Sequence, residues 1–486
     1  MEERYNFYSK HYYKRGKMLY TKKTDQEIEE VKETIIDPVF GGRDLLRPAP
    51  KFKLPKEEMP PRNAYQLVHD ELMLDGHSRL NLATFVTTWI EPEAQKLMSE
   101  SFDKNMIDKD EYPQTAQIEM RCANIIADLF HAKSDENENA CGCSTIGSSE
   151  AAMLCGMAMK WNWRKKRQEA GKKTDKPNLV TGSDVQVCWE KFAVYWDIEL
   201  RHAPMKKENG YRVSMEDLVA LCDENTIGVL GILGTTYTGE YQDIKVLDTL
   251  MTKYNAQTGY DIPIHVDAAS GGFVAPFLNP DLEWDFRLDN VKSINVSGHK
   301  FGLVAPGVGW AIWRDWSYLP KELIFHVNYL GGDMPTFALN FSRPASQVIA
   351  QYYNFVRLGF DGYKNIHNAS LNVIKTLKKL IEESEHGETV MEEIKMPLLA
   401  FKLKEDDDIN FTVYDISAKL RRYGWQVPAY TLAKGCEDVS ILRIVAKEGF
   451  SYDLASLLVQ HIGEVIAELK AEHPKRIQPS TKAKIC

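Results

Sequence analysis

Ser293-Ile-Asn-Val-Ser-Gly-His-Lys-Phe-Gly302 is a short apolar strand that breaks at Ser297-Gly298 and then delivers a lysine, Lys300, at its mouth. Ile294 and Val296 supply the apolar positions and the Ser-Gly pair the break. An ordinary lysine, with a pKa of about 10.4, sits on a solvated helix face. A lysine placed after a strand end is a candidate for chemistry. Upstream, Ile264-His-Val-Asp-Ala-Ala-Ser-Gly-Gly272 is a second apolar strand, ending in Asp267 and followed by small residues. A carboxylate at a strand end, with small residues after it, leaves room for a flat ligand close to the backbone. Taken alone, such an aspartate often only caps a turn.

Around these two stretches, residues 178–314 alternate apolar strands with helices. The strands are Leu179-Val180, Ile198 to Arg201, Ile227 to Leu233, Ile262 to Val266, Ser293 to Val296 and Gly309 to Trp313, with helices at Trp189 to Tyr195, Met215 to Cys222 and Ile244 to Thr252. The alternation predicts an α/β fold with a mostly parallel, doubly wound sheet that gathers ligands at the carboxyl ends of its strands. Gly147-Ser-Ser149, Gly234-Thr-Thr-Tyr-Thr-Gly239, Asp267 and Lys300 all fall at such ends. Gly147-Ser148-Ser149 follows the small polar run Cys143 to Ile146 and opens a long helix ending near Gly171. Unpaired N–H groups, two hydroxyls and the positive end of a helix dipole suit a phosphate, although an isolated Gly-Ser-Ser is more often an ordinary cap.

The 486 residues correspond to roughly three domain-sized units. With 44% hydrophobic and 27% charged residues, ten tryptophans and twenty-two tyrosines, the chain is not disordered. A net charge of -9 argues against nucleic-acid binding. The scattered cysteines show no C-x-x-C pair and suit the reducing cytoplasm, and Cys141-Gly-Cys143 reads as plain thiols rather than a metal pair. No metal is expected. Neither a membrane span nor a secretory leader is legible.

Residues 1–23 carry seven Lys or Arg against Glu2 and Glu3, with six interleaved aromatics. They read as a mobile or oligomer-docking tail, the sharper alternative being weak contact with a membrane surface or another anion. Thr24 to Ile36 looks helical, Pro48 to Pro61 reads as an extended linker, and Asn63 is placed to cap a helix reaching about Leu74. Asn81 to Trp89 reads as a buried loop or strand, and Gln117 to Phe130 as a core helix. After Arg314 come helices at Ser346 to Leu358 and Tyr363 to Glu383. A small α+β domain follows: strand Leu398 to Leu403, helix Val413 to Tyr423, strand Val439 to Val445 and helix Asp453 to Glu472. Arg443 interrupts the last strand, and either faces solvent or clamps a carboxylate through two parallel hydrogen bonds. The expected division is 1–79 for an N-terminal arm and helices, 80–370 for the large domain, and 371–486 for the small one.

From about Ala64 onward the chain resembles the pyridoxal-phosphate-dependent amino-acid decarboxylases of aspartate-aminotransferase-like fold (fold type I), specifically the glutamate decarboxylases of bacterial and plant type. The resemblance rests on Asn81-Leu-Ala-Thr-Phe85, Asp110-Glu-Tyr-Pro-Gln114, Gly147-Ser-Ser-Glu-Ala151, Gln186-Val-Cys-Trp189, His265-Val-Asp-Ala268, Val296-Ser-Gly-His-Lys300, Asn340-Phe-Ser-Arg-Pro344 and Arg443-Ile-Val445. It implies Lys300 as the Schiff-base lysine, Asp267 on the pyridine nitrogen, Ala269 and Gln186 on the two ring faces, and Thr236 near the ring hydroxyl. Ser148, Ser149, Ser297 and His299 would hold the phosphate, with Ser342 reaching in from a second subunit. L-glutamate's side-chain carboxylate would meet Thr84, the Phe85 amide, Asn105 and Asp108, while Arg443 would orient the carboxylate that leaves. Lys300 and Tyr329, the latter in the glycine-flanked segment Val327 to Gly332, are the two candidates to protonate Cα and yield 4-aminobutyrate.

The resemblance also implies a homo-oligomer, at least a dimer, with a hexamer as a larger option. Pro479-Ser-Thr-Lys-Ala-Lys-Ile-Cys486 has neither tryptophan nor an amphipathic run, so calmodulin control is not expected, and the last histidine is His473. Three rivals stand: a decarboxylase for aspartate or an aromatic amino acid, a lyase for a phosphorylated amine, and a binding module that keeps the cofactor without catalysis.

Overall fold

Every strand carries side chains alternately to its two sides, so a sheet sealed on both faces needs a separate core on each. The computed structural model describes residues 49–132, 138–327, 334–384, 386–404 and 410–472. It divides into two units, residues 1–76 and 77–486. The described part of the first holds helix α1, Pro61–Leu72. Its N-cap is Pro60, without a side-chain cap, and Pro61 occupies the first turn, so a proline rather than Asn63 starts it. Residues 49–60 contain neither helix nor strand, consistent with the expected linker, except that Pro61 already belongs to the helix. The basic arm and the helix expected at Thr24 to Ile36 lie outside the described residues.

The second unit is built on seven strands: β1 Gly142–Thr145, β2 Asn178–Gly182, β3 Glu199–Ala203, β4 Thr226–Ile232, β5 Ile264–Asp267, β6 Val291–Val296 and β7 Gly309–Trp313. Their order is β1-β7-β6-β5-β4-β2-β3. All neighbours run parallel except β7, which is antiparallel to both β1 and β6. The strand β1 is one that its polar sequence conceals. Pairing with β7 buries it, and the Glu119 carboxylate receives both the N–H and the hydroxyl of Ser144.

Helices cover both faces. On one side α3, Ser148–Glu169, and α4, Val187–Tyr195, pack Leu154, Trp163 and Phe192 against Leu179, Leu230 and Ala311. On the other, Cys122 and Ile126 of α2, Pro113–Leu129, Leu247 of Ile244–Thr258 and Val348 of Ser346–Glu383 meet Val180, Val229, Ile294 and Ile312. Adjacent residues of one strand therefore belong to different cores. Ser346–Glu383 is interrupted at Gly359, whose φ of 57° and ψ of -168° split it into two helices as the sequence predicts.

A second, antiparallel sheet has Gly387–Thr389, Leu398–Leu403, Ser440–Val445 and Ala429–Thr431 in that spatial order. The loop after Leu80 is laced to it: Leu82 N–H donates to Gln426 O and Val445 N–H to Leu82 O, both at 3.0 Å. Asn81 to Trp89 is thus a loop fastened as though it were an extra strand.

At the start of α3 the backbone passes so close to β7 that a Cβ on Gly309 would lie 2.6 Å from the Gly147 carbonyl carbon and 2.8 Å from Ser148 N. Neither backbone can yield cheaply. Gly309→Ala is expected to cost on the order of 1–3 kcal/mol, read from denaturant unfolding, and to weaken anion binding at the α3 N-terminus; unchanged stability would contradict this packing.

Candidate active site

The carboxyl ends of β4, β5 and β6 and the start of α3 enclose a cleft of about 520 Å³. One end of it is made for an anion. Gly147 precedes α3, and the N–H groups of Ser148 and Ser149 make no hydrogen bond among the described residues, as the first turn of a helix dictates. The Ser148 and Ser297 hydroxyls lie 2.7 Å apart. His299 packs against Gly147, where a Cβ would come within 2.8 Å of its ring, and its Nδ1 accepts from Val308 N–H at 3.3 Å. Burial, then the neighbouring Lys300 charge, pushes the His299 pKa down to about 4. The imidazole is neutral with its proton on Nε2, and therefore a donor.

The centre of the cleft is organised by Asp267. Its carboxylate accepts from Trp189 Nε1 at 2.8 Å, Asn295 Nδ2 at 3.0 Å and Ala269 N–H at 3.1 Å. Three donors satisfy and orient its two oxygens. Asn295, opposite Asp267 in the β5–β6 register, turns its Oδ1 to His265 Nε2 at 2.7 Å, and His265 Nδ1 meets the Ser293 hydroxyl at 2.8 Å. Because Asn295 Nδ2 is committed to Asp267, its oxygen must accept, which places the His265 proton on Nε2. Lys300 Nζ contacts the Ser270 hydroxyl at 3.2 Å and makes no ion pair among the described residues. Burial lowers its pKa, against the pull of Asp267. A desolvated amine without a carboxylate partner is a nucleophile in waiting.

Arg443 is buried at 7% exposure. Its Nη1 donates to Thr236 O at 2.7 Å and its Nη2 to Ala83 O, whereas its Nε has no partner among the described residues. The guanidinium lies 4.7 Å from the Phe85 ring centroid and 5.5 Å from that of Tyr430. Lys300 Nζ lies 5.2 Å from the centroid of the same Phe85 ring, so two cations share one aromatic side chain.

Of the cofactor residues expected from the sequence, Ser148, Ser149, Gln186, Thr236, Asp267, Ala269, Ser297, His299 and Lys300 all line this cleft. Gln186 also caps α4, accepting from Cys188 N–H at 2.6 Å. Ser342 is elsewhere: exposed, it receives Asn105 Nδ2 at 3.2 Å, and Asp108 follows in the same turn. Those three do not line the protomer's own cleft, and nor do Thr84, Phe85 and Arg443, although Phe85 and Arg443 adjoin it through Lys300 and Thr236. Arg343 anchors the first three through its ion pair with Glu119 at 3.1 Å and its N–H to Asn105 Oδ1. Tyr329 and His473 lie outside the described residues, among which no metal-binding cluster occurs. Sequence reasoning assigned nothing to Trp189, Ser270, Asn295 or Tyr430. Asn295 carried a signal, a polar residue between Ile294 and Val296 in a buried strand; Tyr430 carried none.

Residues 55–404 match the pyridoxal-dependent decarboxylase conserved domain. The chain is 54% identical to a glutamate decarboxylase of Aliivibrio fischeri, over 91% of this chain and 95% of that protein. It is 53% identical to one of Solanum lycopersicum, over 90% and 86%. The solved structure of a Lactobacillus brevis glutamate decarboxylase superposes with a TM-score of 0.86 at 48% identity, over 90% of this chain and 99% of that one.

Burial holds His265 and His367 near a pKa of about 4, below the value of about 6.5 in an unfolded chain. The unfolded state therefore binds more protons between those values, and the stability present above pH ~6.5 is lost as pH falls toward ~4. Each histidine contributes on the order of 2–3 kcal/mol. The melting temperature is expected to drop between pH 7 and 4.5, and His367→Phe to make that drop shallower. An equal slope in the variant would contradict the assignment.

Proposed function

The chain belongs to the pyridoxal-dependent decarboxylase family, and from that premise we propose that it converts L-glutamate to 4-aminobutyrate and carbon dioxide with pyridoxal 5′-phosphate. The observation that carries the proposal is the meeting of Lys300 and Arg443 at one aromatic ring, Phe85, beside a carboxylate and an anion site, in a chain whose relatives bear that activity in their names.

The residues fit the cofactor. Unpaired N–H groups at Ser148 and Ser149, the Ser297 hydroxyl and the His299 Nε2 proton would hold its phosphate. Asp267, oriented by its three donors, would hold the pyridine nitrogen protonated. Ala269 and Gln186 would pack on the ring faces, Thr236 would stand near its hydroxyl, and Lys300 would bond its aldehyde carbon as a Schiff base. When bound, the cofactor supplies an electron sink for the pair left behind as the carboxylate departs.

The chain's own groups then do the positioning. Arg443 presents its unpartnered Nε, and with an Nη it can grip the departing carboxylate bidentately, while Thr236 O and Ala83 O fix the guanidinium plane. The Phe85 N–H has no partner among the described residues, and the Thr84 hydroxyl donates to none. Both are free to receive the side-chain carboxylate, together with Asn105 and Asp108. Lys300 or Tyr329 would return a proton to Cα. Each turnover consumes a proton, which suits a role in acid tolerance.

The grouping of Ser342, Asn105 and Asp108 away from their own cleft supports a site completed by a second subunit, hence at least a dimer. The cysteines described are all free and buried, which supports a reducing, cytoplasmic setting.

Purified protein with pyridoxal phosphate, offered each amino acid in turn, is expected to release carbon dioxide fastest from L-glutamate; faster release from aspartate or tyrosine overturns the substrate. Lys300→Ala is expected to lose the visible absorbance of the bound cofactor and to lower turnover about a thousandfold or more. An unchanged spectrum removes Lys300 from its role.

A further inference from the structure

Lys447 lies two residues beyond the strand Ser440–Val445, is 6% exposed and makes no ion pair among the described residues. Its Nζ donates to Asn81 O and to Thr84 O, each at 2.9 Å. An ammonium taken out of water needs acceptors in place of a counter-ion. Here they are two carbonyls of one turn.

The turn can be followed one peptide unit at a time. Between Asn81 and Leu82 the carbonyl is held by Lys447, and the Leu82 N–H donates to Gln426 O. In the next unit Leu82 O accepts from Val445 N–H and Ala83 N–H donates to Asn81 Oδ1. In the third, Ala83 O accepts from Arg443 and Thr84 N–H donates to Asn81 Oδ1. The fourth differs: Thr84 O is held by Lys447, but the Phe85 N–H at its other end has no partner among the described residues. A trans peptide is planar, with its C=O and N–H pointing in opposite directions. Fixing the Thr84 oxygen therefore fixes where the Phe85 N–H points. A cation on that oxygen also polarises the amide and makes its N–H a stronger donor.

Residues 443, 445 and 447 alternate along one strand and its extension, and all three serve this turn. We propose that Lys447 is a positioning residue for the subsite that takes the substrate's distal carboxylate: its ammonium holds the Asn81 and Thr84 carbonyls so that the Phe85 N–H and Thr84 hydroxyl converge on that anion. The inference rests on the reading of Thr84 and Phe85 as that subsite. Lys447 itself touches neither substrate nor cofactor. Its loss shows in substrate affinity rather than in the chemical step, because Arg443 and Lys300 keep their own contacts.

Steady-state kinetics of the cofactor-loaded enzyme test this with Lys447→Met, which keeps the stem and removes the donors, Lys447→Arg, which keeps donors and charge, and Thr84→Val. Lys447→Met is expected to raise KM for L-glutamate about tenfold, with kcat within about threefold and the cofactor absorbance intact, while Lys447→Arg stays within about threefold of the native KM. An unchanged KM in Lys447→Met, or a joint loss of kcat and cofactor that Lys447→Arg does not restore, overturns the inference. Should Lys447→Met not fold, Lys447→Gln is held to the same criteria. If Thr84→Val raises KM and Lys447→Met does not, only the role of Lys447 falls; if Thr84→Val leaves KM unchanged, the subsite reading itself falls.

Discussion

A carboxylate buried in a sheet must be matched by donors, and Asp267 is matched by three from three different places: the indole of Trp189 on a helix, the amide of Asn295 on the neighbouring strand, and the N–H of Ala269 in its own turn. The match depends on the sheet. The parallel register that sets Asp267 opposite Asn295 also stacks His265 beside Ser293 and Asn295, so a row of polar side chains runs through one face of β5 and β6 while Ile264, Val266, Ile294 and Val296 fill the core behind the other. Each polar member satisfies the next, which is the condition for such a row to be tolerated inside a protein. It ends on a carboxylate at the cleft.

In and beside the cleft stand two cations that no carboxylate among the described residues pairs with. Among those residues Lys300 has only the Ser270 hydroxyl, Arg443 has two carbonyls and an unpartnered Nε, and both lie against the Phe85 ring. Arg443 is buried and Lys300 half-buried, so both are costly until anions arrive. On the proposed function, a phosphate at the start of α3 and a substrate with two carboxylates would supply those anions. Cofactor and substrate thus complete an electrostatic arrangement that the chain leaves open, and Lys447 extends the pattern by orienting a turn for the second carboxylate.

Much of this was legible in the linear chain, for local reasons. Strands that are apolar on both faces read as parallel and buried, and the strand-end placement of Ser148, Asp267 and Lys300 follows from where those strands stop. Gly359 marks the break between two helices, and its φ of 57° with ψ of -168° is a combination open to glycine and hardly to any other residue. The polar strand β1 was hidden, since its burial comes from β7 and Glu119 rather than from its own side chains. Asn63 looked like a cap, but the adjacent prolines preset the first turn and took the helix start from it.

The sequence by itself determined the fold class, the family and the identity of the residues at the cleft, because each depends on periodicity and on short motifs that keep their spacing in any fold context. Only the tertiary structure decided what those residues touch. It brought Arg443 to Thr236 and Ala83, set Ser342 beside Asn105 on a face away from the protomer's own cleft, and bonded Lys447 to a turn more than three hundred and sixty positions earlier in the chain. Such contacts are long-range by nature. They arise when two sheets and a connecting loop pack in three dimensions, and no local pattern in the chain encodes the partner at the other end.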